Sequence, residues 1–119
     1  MLTYQGKCHC GAVTFEVTAE EPLTAGARCN CSLCRRKGFV MALLPSENFR
    51  LTGGASELTD YQWNTQQAHH YFCRHCGIYT HHQPRTAPDK IGVNVGCIDE
   101  LEPLTFDVEL RNGQALSIE

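Results

Sequence analysis

Seven of the chain's eight cysteines fall in three short clusters: Cys8-His9-Cys10-Gly11, Cys29-Asn30-Cys31-Ser32-Leu33-Cys34 and Cys73-Arg74-His75-Cys76-Gly77. Thiolates separated by one or two residues are soft ligands suited to a tetrahedral metal, zinc above all. The first and third clusters supply two sulfurs each, enough for one closed Cys₄ site. The middle cluster supplies three and leaves a fourth position for something else. A closed zinc site holds a fold, whereas an open one can do chemistry.

Cys73-x-x-Cys76-Gly77 has the form of a zinc knuckle, a tight turn whose glycine can take positive φ and whose backbone N–H groups can point at the sulfurs. Cys8 and Cys10, at i and i+2, are expected on one face of extended backbone, so both can reach one metal. Cys8, Cys10, Cys73 and Cys76 are therefore predicted to bind a structural Zn²⁺, with the intervening His9 and His75 pointing away. Cys29, Cys31 and Cys34 are predicted to hold a second Zn²⁺ with an exchangeable position. A thiol arriving there, with an ordinary pKa of about 8.5, would lose its proton at neutral pH. Two further readings stay open for this cluster: a second structural site closed by a distant ligand, for which Cys97 is the candidate, and a binuclear cluster of all seven sulfurs.

The elements that must position these groups are mostly strands. Val13, Phe15 and Val17 alternate with polar residues, as do Ile91, Val93, Val95 and Cys97 with Gly92, Asn94 and Gly96. Further strands are predicted at 39–44, 49–52, 58–63, 69–72, 78–82 and 106–110, separated by turn signals at Pro45-Ser46, Gly53-Gly54 and Asn112-Gly113, the last a hairpin turn. Helix is confined to short pieces near 32–37 and 46–49. The alternation makes Cys97 a buried apolar thiol rather than a ligand. His69-His70 and His81-His82 suggest a metal array, but neighbours on a strand face opposite sides, so exposed or core-edge histidines are expected. The prediction is one all-β-dominated domain over residues 1–119, in which 65 positions separate Cys8 from Cys73 and a shared metal would close most of the chain into a loop.

Bulk properties narrow the function classes. A hydrophobic share of 42%, a charged share of 19% and a net charge of −3 describe an ordinary globular protein with no field favouring nucleic acid or anionic lipid. No apolar run reaches membrane-spanning length. Residues 1–7 lack the apolar core and cleavage site of a secretory leader, so the expected address is cytoplasmic. There, thiols stay reduced, which favours metal over a disulfide scaffold. A redox role for Cys73-x-x-Cys76 lacks its usual βαβ context. The only basic run, Arg35-Arg36-Lys37, follows the middle cluster directly and is read as either a solvated turn or a local anion site.

Four ordered motifs carry a wider resemblance: Gly6-Lys7-Cys8-His9-Cys10-Gly11-Ala12-Val13, Cys29-Asn30-Cys31-Ser32-Leu33-Cys34-Arg35-Arg36, Phe72-Cys73-Arg74-His75-Cys76-Gly77 and Val93-Asn94-Val95-Gly96-Cys97. In these the chain resembles the glutathione-dependent formaldehyde-activating enzymes, a family that also includes the centromere protein V domain. The resemblance implies a zinc-stapled fold of coiled β-sheets, Mss-four-like, with two zinc ions. Cys8, Cys10, Cys73 and Cys76 match the structural ligands and Cys29, Cys31 and Cys34 the catalytic ones. The implied activity is addition of glutathione, or a related small thiol, to formaldehyde or a related aldehyde, a carbon–sulfur lyase reaction in reverse. The competing expectation is a zinc-binding protein-interaction module without catalysis.

Overall fold

The computed structural model describes residues 1–63, 66–85 and 87–112. Its strands are β1 Leu2–Lys7, β2 Thr14–Ala19, β3 Ala25–Cys29, β4 Met41–Pro45, β5 Phe49–Gly53, β6 Leu58–Tyr61, β7 His69–Cys73, β8 Tyr79–Gln83, β9 Lys90–Asn94 and β10 Asp107–Arg111. The one described α-helix is α1, Ser32–Lys37, and the rest of the regular structure is short 3-10 turns. None of these helices is long and apolar enough to cross a membrane. The β-dominated expectation holds, with two strands added. β1 and β3 bury too few side chains to show an alternation: Tyr4 and Gly6 in the first and Ala27 in the second. Pairing with neighbours makes them strands instead.

β1, β2 and β5 form a three-stranded sheet, and the other seven strands a second sheet in the order β10-β3-β4-β9-β8-β7-β6. All described pairings are antiparallel except β10 with β3. The period-2 face of β2 meets the larger sheet: Phe15, Val17 and Ala19 pack with Tyr4, Val93, Cys97 and Ile98. Burying one such aromatic or branched side chain is worth about 1.5–3 kcal/mol, so this shared core is what binds the sheets apart from any metal. Met41 of β4 faces a second buried cluster with Cys31, Cys34, Phe39 and Tyr79, while Ala42, next in sequence, packs with Val40 and Val95 on the opposite side.

The 91–97 alternation is only partly a strand. β9 ends at Asn94, whose side-chain oxygen accepts the Gly96 N–H at 3.1 Å and caps a 3-10 turn over Val95–Cys97. Burial still alternates, because Val93, Val95 and Cys97 all point into the core. The expected Asn112-Gly113 hairpin turn extends outside the described residues.

The histidine pairs differ from expectation. His70, His81 and His82 are buried, not exposed or at the core edge, because β8 lies inside the larger sheet with both faces covered. The register pairs Tyr71 with His81 and Phe72 with Tyr79, leaving Thr80 as the extra residue of a bulge. The slip puts Tyr79 and His82 on one face. His82 lies edge-on to Phe39 and stacks on His70 at 5.6 Å, whereas His81 faces the smaller sheet, 4.4 Å from Phe49. The neighbours do face opposite sides, as strand geometry requires.

Candidate metal centres

The turn after β1 and the turn between β7 and β8 meet, bringing Cys8, Cys10, Cys73 and Cys76 together with all four sulfurs within 4.8 Å of one another. Cys10 Sγ lies 3.7 Å from both Cys8 Sγ and Cys73 Sγ. Tetrahedral zinc with bonds of about 2.3 Å places its sulfurs about 3.8 Å apart, so the donor set fits zinc. All eight cysteines are free thiols. Cys8 and Cys10 lie on a turn rather than on the extended backbone expected, with Gly11 following at φ 82°. That curl lets Val13 N–H donate to Cys8 Sγ at 3.3 Å, as His75 N–H does to Cys73 Sγ at 3.4 Å. Such bonds disperse thiolate charge. Gly77, at φ 76°, closes the second turn by donating to the Cys73 carbonyl. His75 turns away, its Nε2 2.7 Å from Glu57, and neither His9 nor His75 joins the sulfur cluster.

The second cluster forms where β3 runs into α1. Cys29 ends the strand, Cys31 is the helix N-cap and accepts the Cys34 N–H at 3.3 Å, and Cys34 sits on the buried face. Cys31 N–H in turn donates to Cys29 Sγ at 3.4 Å. The three sulfurs lie within 4.8 Å of one another, and no fourth histidine, cysteine or carboxylate among the described residues completes the group. Burial and then the Cys31 sulfur push the Cys34 thiol well above its ordinary range, and burial raises Cys29 too. Burial and like charge disfavour the ionised form at Cys29 and Cys34, and a bound cation reverses that preference. The chemistry of this donor set fits zinc as well.

Cys97 is not one of the ligands. It packs in the core between the sheets, its thiol 3.6 Å from the Tyr79 carbonyl, and burial pushes its pKa up to about 12. A cleft of about 440 Å³ lies on the Cys8 side, lined by Lys7, Cys8, His9, Asn94, Cys97 and Asp99 among others, and none of Cys29, Cys31 and Cys34 lines it. The cleft is therefore separate from the three-sulfur cluster.

Residue-type spacing did not reveal what surrounds those three sulfurs. Phe39 and Tyr79 pack against them, ring to ring at 4.5 Å. The Tyr79 hydroxyl lies 3.1 Å from His70 Nδ1, and its carbonyl accepts from Asn94 Nδ2 at 2.7 Å. Within the basic run, Arg36 is tied back to the Ser32 carbonyl at 2.8 Å, and Arg35 is exposed. Lys37 instead folds inward, its Nζ 4.3 Å from the Tyr79 ring centroid and 5.6 Å from that of Phe72. The available signal was its place three residues after Cys34, on the same helix face.

Comparison with known proteins identifies relatives of the whole fold. The chain is 44% identical, with a TM-score of 0.81, to the crystal structure of a Rhodobacter sphaeroides protein, over 87% of this chain and 97% of that one. It is 32% identical over 83 residues to a Halomonas elongata protein provisionally named a glutathione-dependent formaldehyde-activating enzyme. That match takes in 63% of this chain and 52% of the relative, so the chain spans about half the relative's length. The profile of the glutathione-dependent formaldehyde-activating enzymes covers residues 3–113. The chain belongs to that family.

Proposed function

We propose that this protein adds a small thiol to a small aldehyde at the Cys29–Cys31–Cys34 cluster, with glutathione and formaldehyde as the pair its family membership favours. The observation that carries this reading is the contrast between two sulfur clusters in one fold. Four sulfurs converge within 4.8 Å of one another where the turn after β1 meets the turn between β7 and β8, while three converge beside α1 with no fourth such donor among the described residues. Cys8, Cys10, Cys73 and Cys76 are assigned to a structural zinc, and Cys29, Cys31 and Cys34 to a catalytic one.

A zinc ion held by three thiolates would supply Lewis acidity, lowering the pKa of a thiol or polarising a carbonyl oxygen. The chain's own residues set the geometry. The N–H groups of Cys31 and Cys34 fix the sulfurs, and Cys31 begins the helix that carries Cys34. Phe39 and Tyr79 pack against the cluster and exclude water from its buried side. In the net reaction the thiol sulfur bonds to the aldehyde carbon and the thiol proton ends on the former carbonyl oxygen. Nothing is oxidised, and the reverse is a carbon–sulfur lyase step. Free, clustered thiols suit a reducing compartment, in keeping with a cytoplasmic site of action.

The test is ¹³C exchange between labelled formaldehyde and S-hydroxymethylglutathione at equilibrium. Native protein is expected to speed the exchange above its spontaneous rate, and Cys31→Ser to return it to that rate. Exchange unaffected by native protein would favour the interaction-module reading.

A further inference from the structure

Lys37 is a half-buried cation whose ammonium stands over two aromatic rings beside the three-sulfur cluster. The ion-pair contacts among the described residues are made by other side chains: Arg50, Arg74, Arg111 and the imidazoles of His69 and His75. Lys37 has no carboxylate partner there. An ordinary surface lysine extends its charge into water, and desolvation of this one lowers its pKa, so the placement is held by the protein. The holding groups are visible. Gly38, at φ 64°, ends α1 immediately after Lys37 and donates to the Cys34 carbonyl, which fixes the last turn. The Tyr79 ring beneath it is pinned by His70 at its hydroxyl. Ring faces attract the charge but accept none of its N–H donors conventionally, so an ammonium held this way still has donors to give.

We propose that Lys37 determines thiol specificity by receiving the carboxylate of an anionic thiol whose sulfur is directed to the Cys29–Cys31–Cys34 cluster. This rests on that cluster being the thiol-binding site. The ligand class is a small thiol bearing a carboxylate. A thiol of similar size without the negative charge lacks the contact, and one bearing an ammonium meets like charge. Arg35 and Arg36, the nearer candidates by sequence, are less suited, because one is exposed and the other is committed to its own helix.

The experiment titrates zinc-loaded protein with 3-mercaptopropionate, 2-mercaptoethanol and cysteamine by calorimetry, in the native chain, Lys37→Met and Lys37→Arg, with zinc content and circular dichroism measured for each. Methionine keeps an unbranched stem over the rings and removes the charge. Native protein is expected to bind the carboxylate thiol about tenfold or more tighter than the neutral one, the scale of one charge-assisted hydrogen bond, with cysteamine weakest. Lys37→Met should bring the carboxylate and neutral thiols to within about twofold while leaving the 2-mercaptoethanol affinity unchanged; Lys37→Arg should restore much of the preference. No carboxylate preference in native protein overturns the proposal. So does an equal loss for charged and neutral thiols in Lys37→Met, which would mean that the lysine only offsets the charge of the cluster. If native protein binds none of the three thiols, the thiol-site reading itself fails.

Discussion

Burial of His81 makes a quantitative prediction about acid stability. Its ring lies between Phe49 at 4.4 Å and Tyr71 at 4.6 Å, with Nδ1 2.8 Å from Thr80 Oγ1, and desolvation pushes its pKa from 6.5 down to about 4. The unfolded chain therefore takes up a proton near pH 6.5 that the folded chain refuses until about pH 4. Stability from this residue is fully present above pH 6.5 and is lost as pH falls towards 4. At about 1.4 kcal/mol per pKa unit the loss comes to about 3 kcal/mol. Near pH 5.5 the unfolded imidazole is roughly nine-tenths protonated and the folded one hardly at all, a slope of about 1.2 kcal/mol per pH unit. His70 and His82, pushed down by burial to about 4 and 3, act in the same direction. The variant His81→Phe fits the aromatic surroundings, and Thr80 Oγ1 keeps its contact with the Tyr71 carbonyl at 3.4 Å. Urea unfolding of both proteins at pH 5.5, 6.0 and 6.5, at fixed free zinc, gives the two slopes. Glu16 and Glu57, whose pKa values are lowered, are ionised in both states at these pH values. Metal release adds a slope common to both proteins. Averaged over pH 5.5 to 6.5, where protonation of the unfolded imidazole falls from about nine-tenths to one-half, the His81→Phe slope should be lower by about 1 kcal/mol per pH unit, whatever its stability at pH 7. Equal slopes would mean that His81 titrates normally in the fold, and the argument from burial would be wrong.

Two glycines supply steric predictions. At Gly54, φ is +81° and a Cβ would sit 1.9 Å from the Ala12 carbonyl oxygen and 2.9 Å from Val13 Cα, so Gly54→Ala must displace the backbone that follows Cys10. It should cost more than about 3 kcal/mol, of which left-handed backbone alone contributes roughly 1–2, and should speed zinc release to a chromogenic chelator; an unchanged melting temperature would contradict this. At Gly92 a Cβ would meet the His82 ring at 2.1 Å. Gly92→Ala should destabilise by about 2 kcal/mol or more, and most of that cost should vanish in a His82→Ala background, as a double-mutant cycle can measure.

The sulfur clusters and their division into four and three were legible because ligand spacing is local and zinc tolerates little variation in geometry. Strands whose faces alternate cleanly, such as β2, were legible for the same local reason. β1 and β3 were not, since neighbours rather than their own side chains make them strands. The turn at Cys8–Cys10 was misread as extended backbone, because spacing alone does not distinguish a curl with N–H···S bonds from a strand. The histidines were misplaced because their burial depends on β8 being covered on both faces and on a bulge at Thr80, neither of which has a sequence signature. Lys37 was visible only as part of a basic run. Its inward turn depends on Tyr79, which lies 42 positions away.

Zinc stoichiometry combined with thiol binding tests the division of labour between the clusters most directly. Cys31→Ser is the informative variant, because serine is also a good helix N-cap and α1 keeps its start. The expected result is two zinc ions per native chain and one in Cys31→Ser, with the variant still folded and its glutathione binding lost, and loss of the fold in Cys73→Ser. A single zinc in the native protein, or glutathione binding that survives in Cys31→Ser, would contradict the assignment of Cys29, Cys31 and Cys34 to a catalytic site.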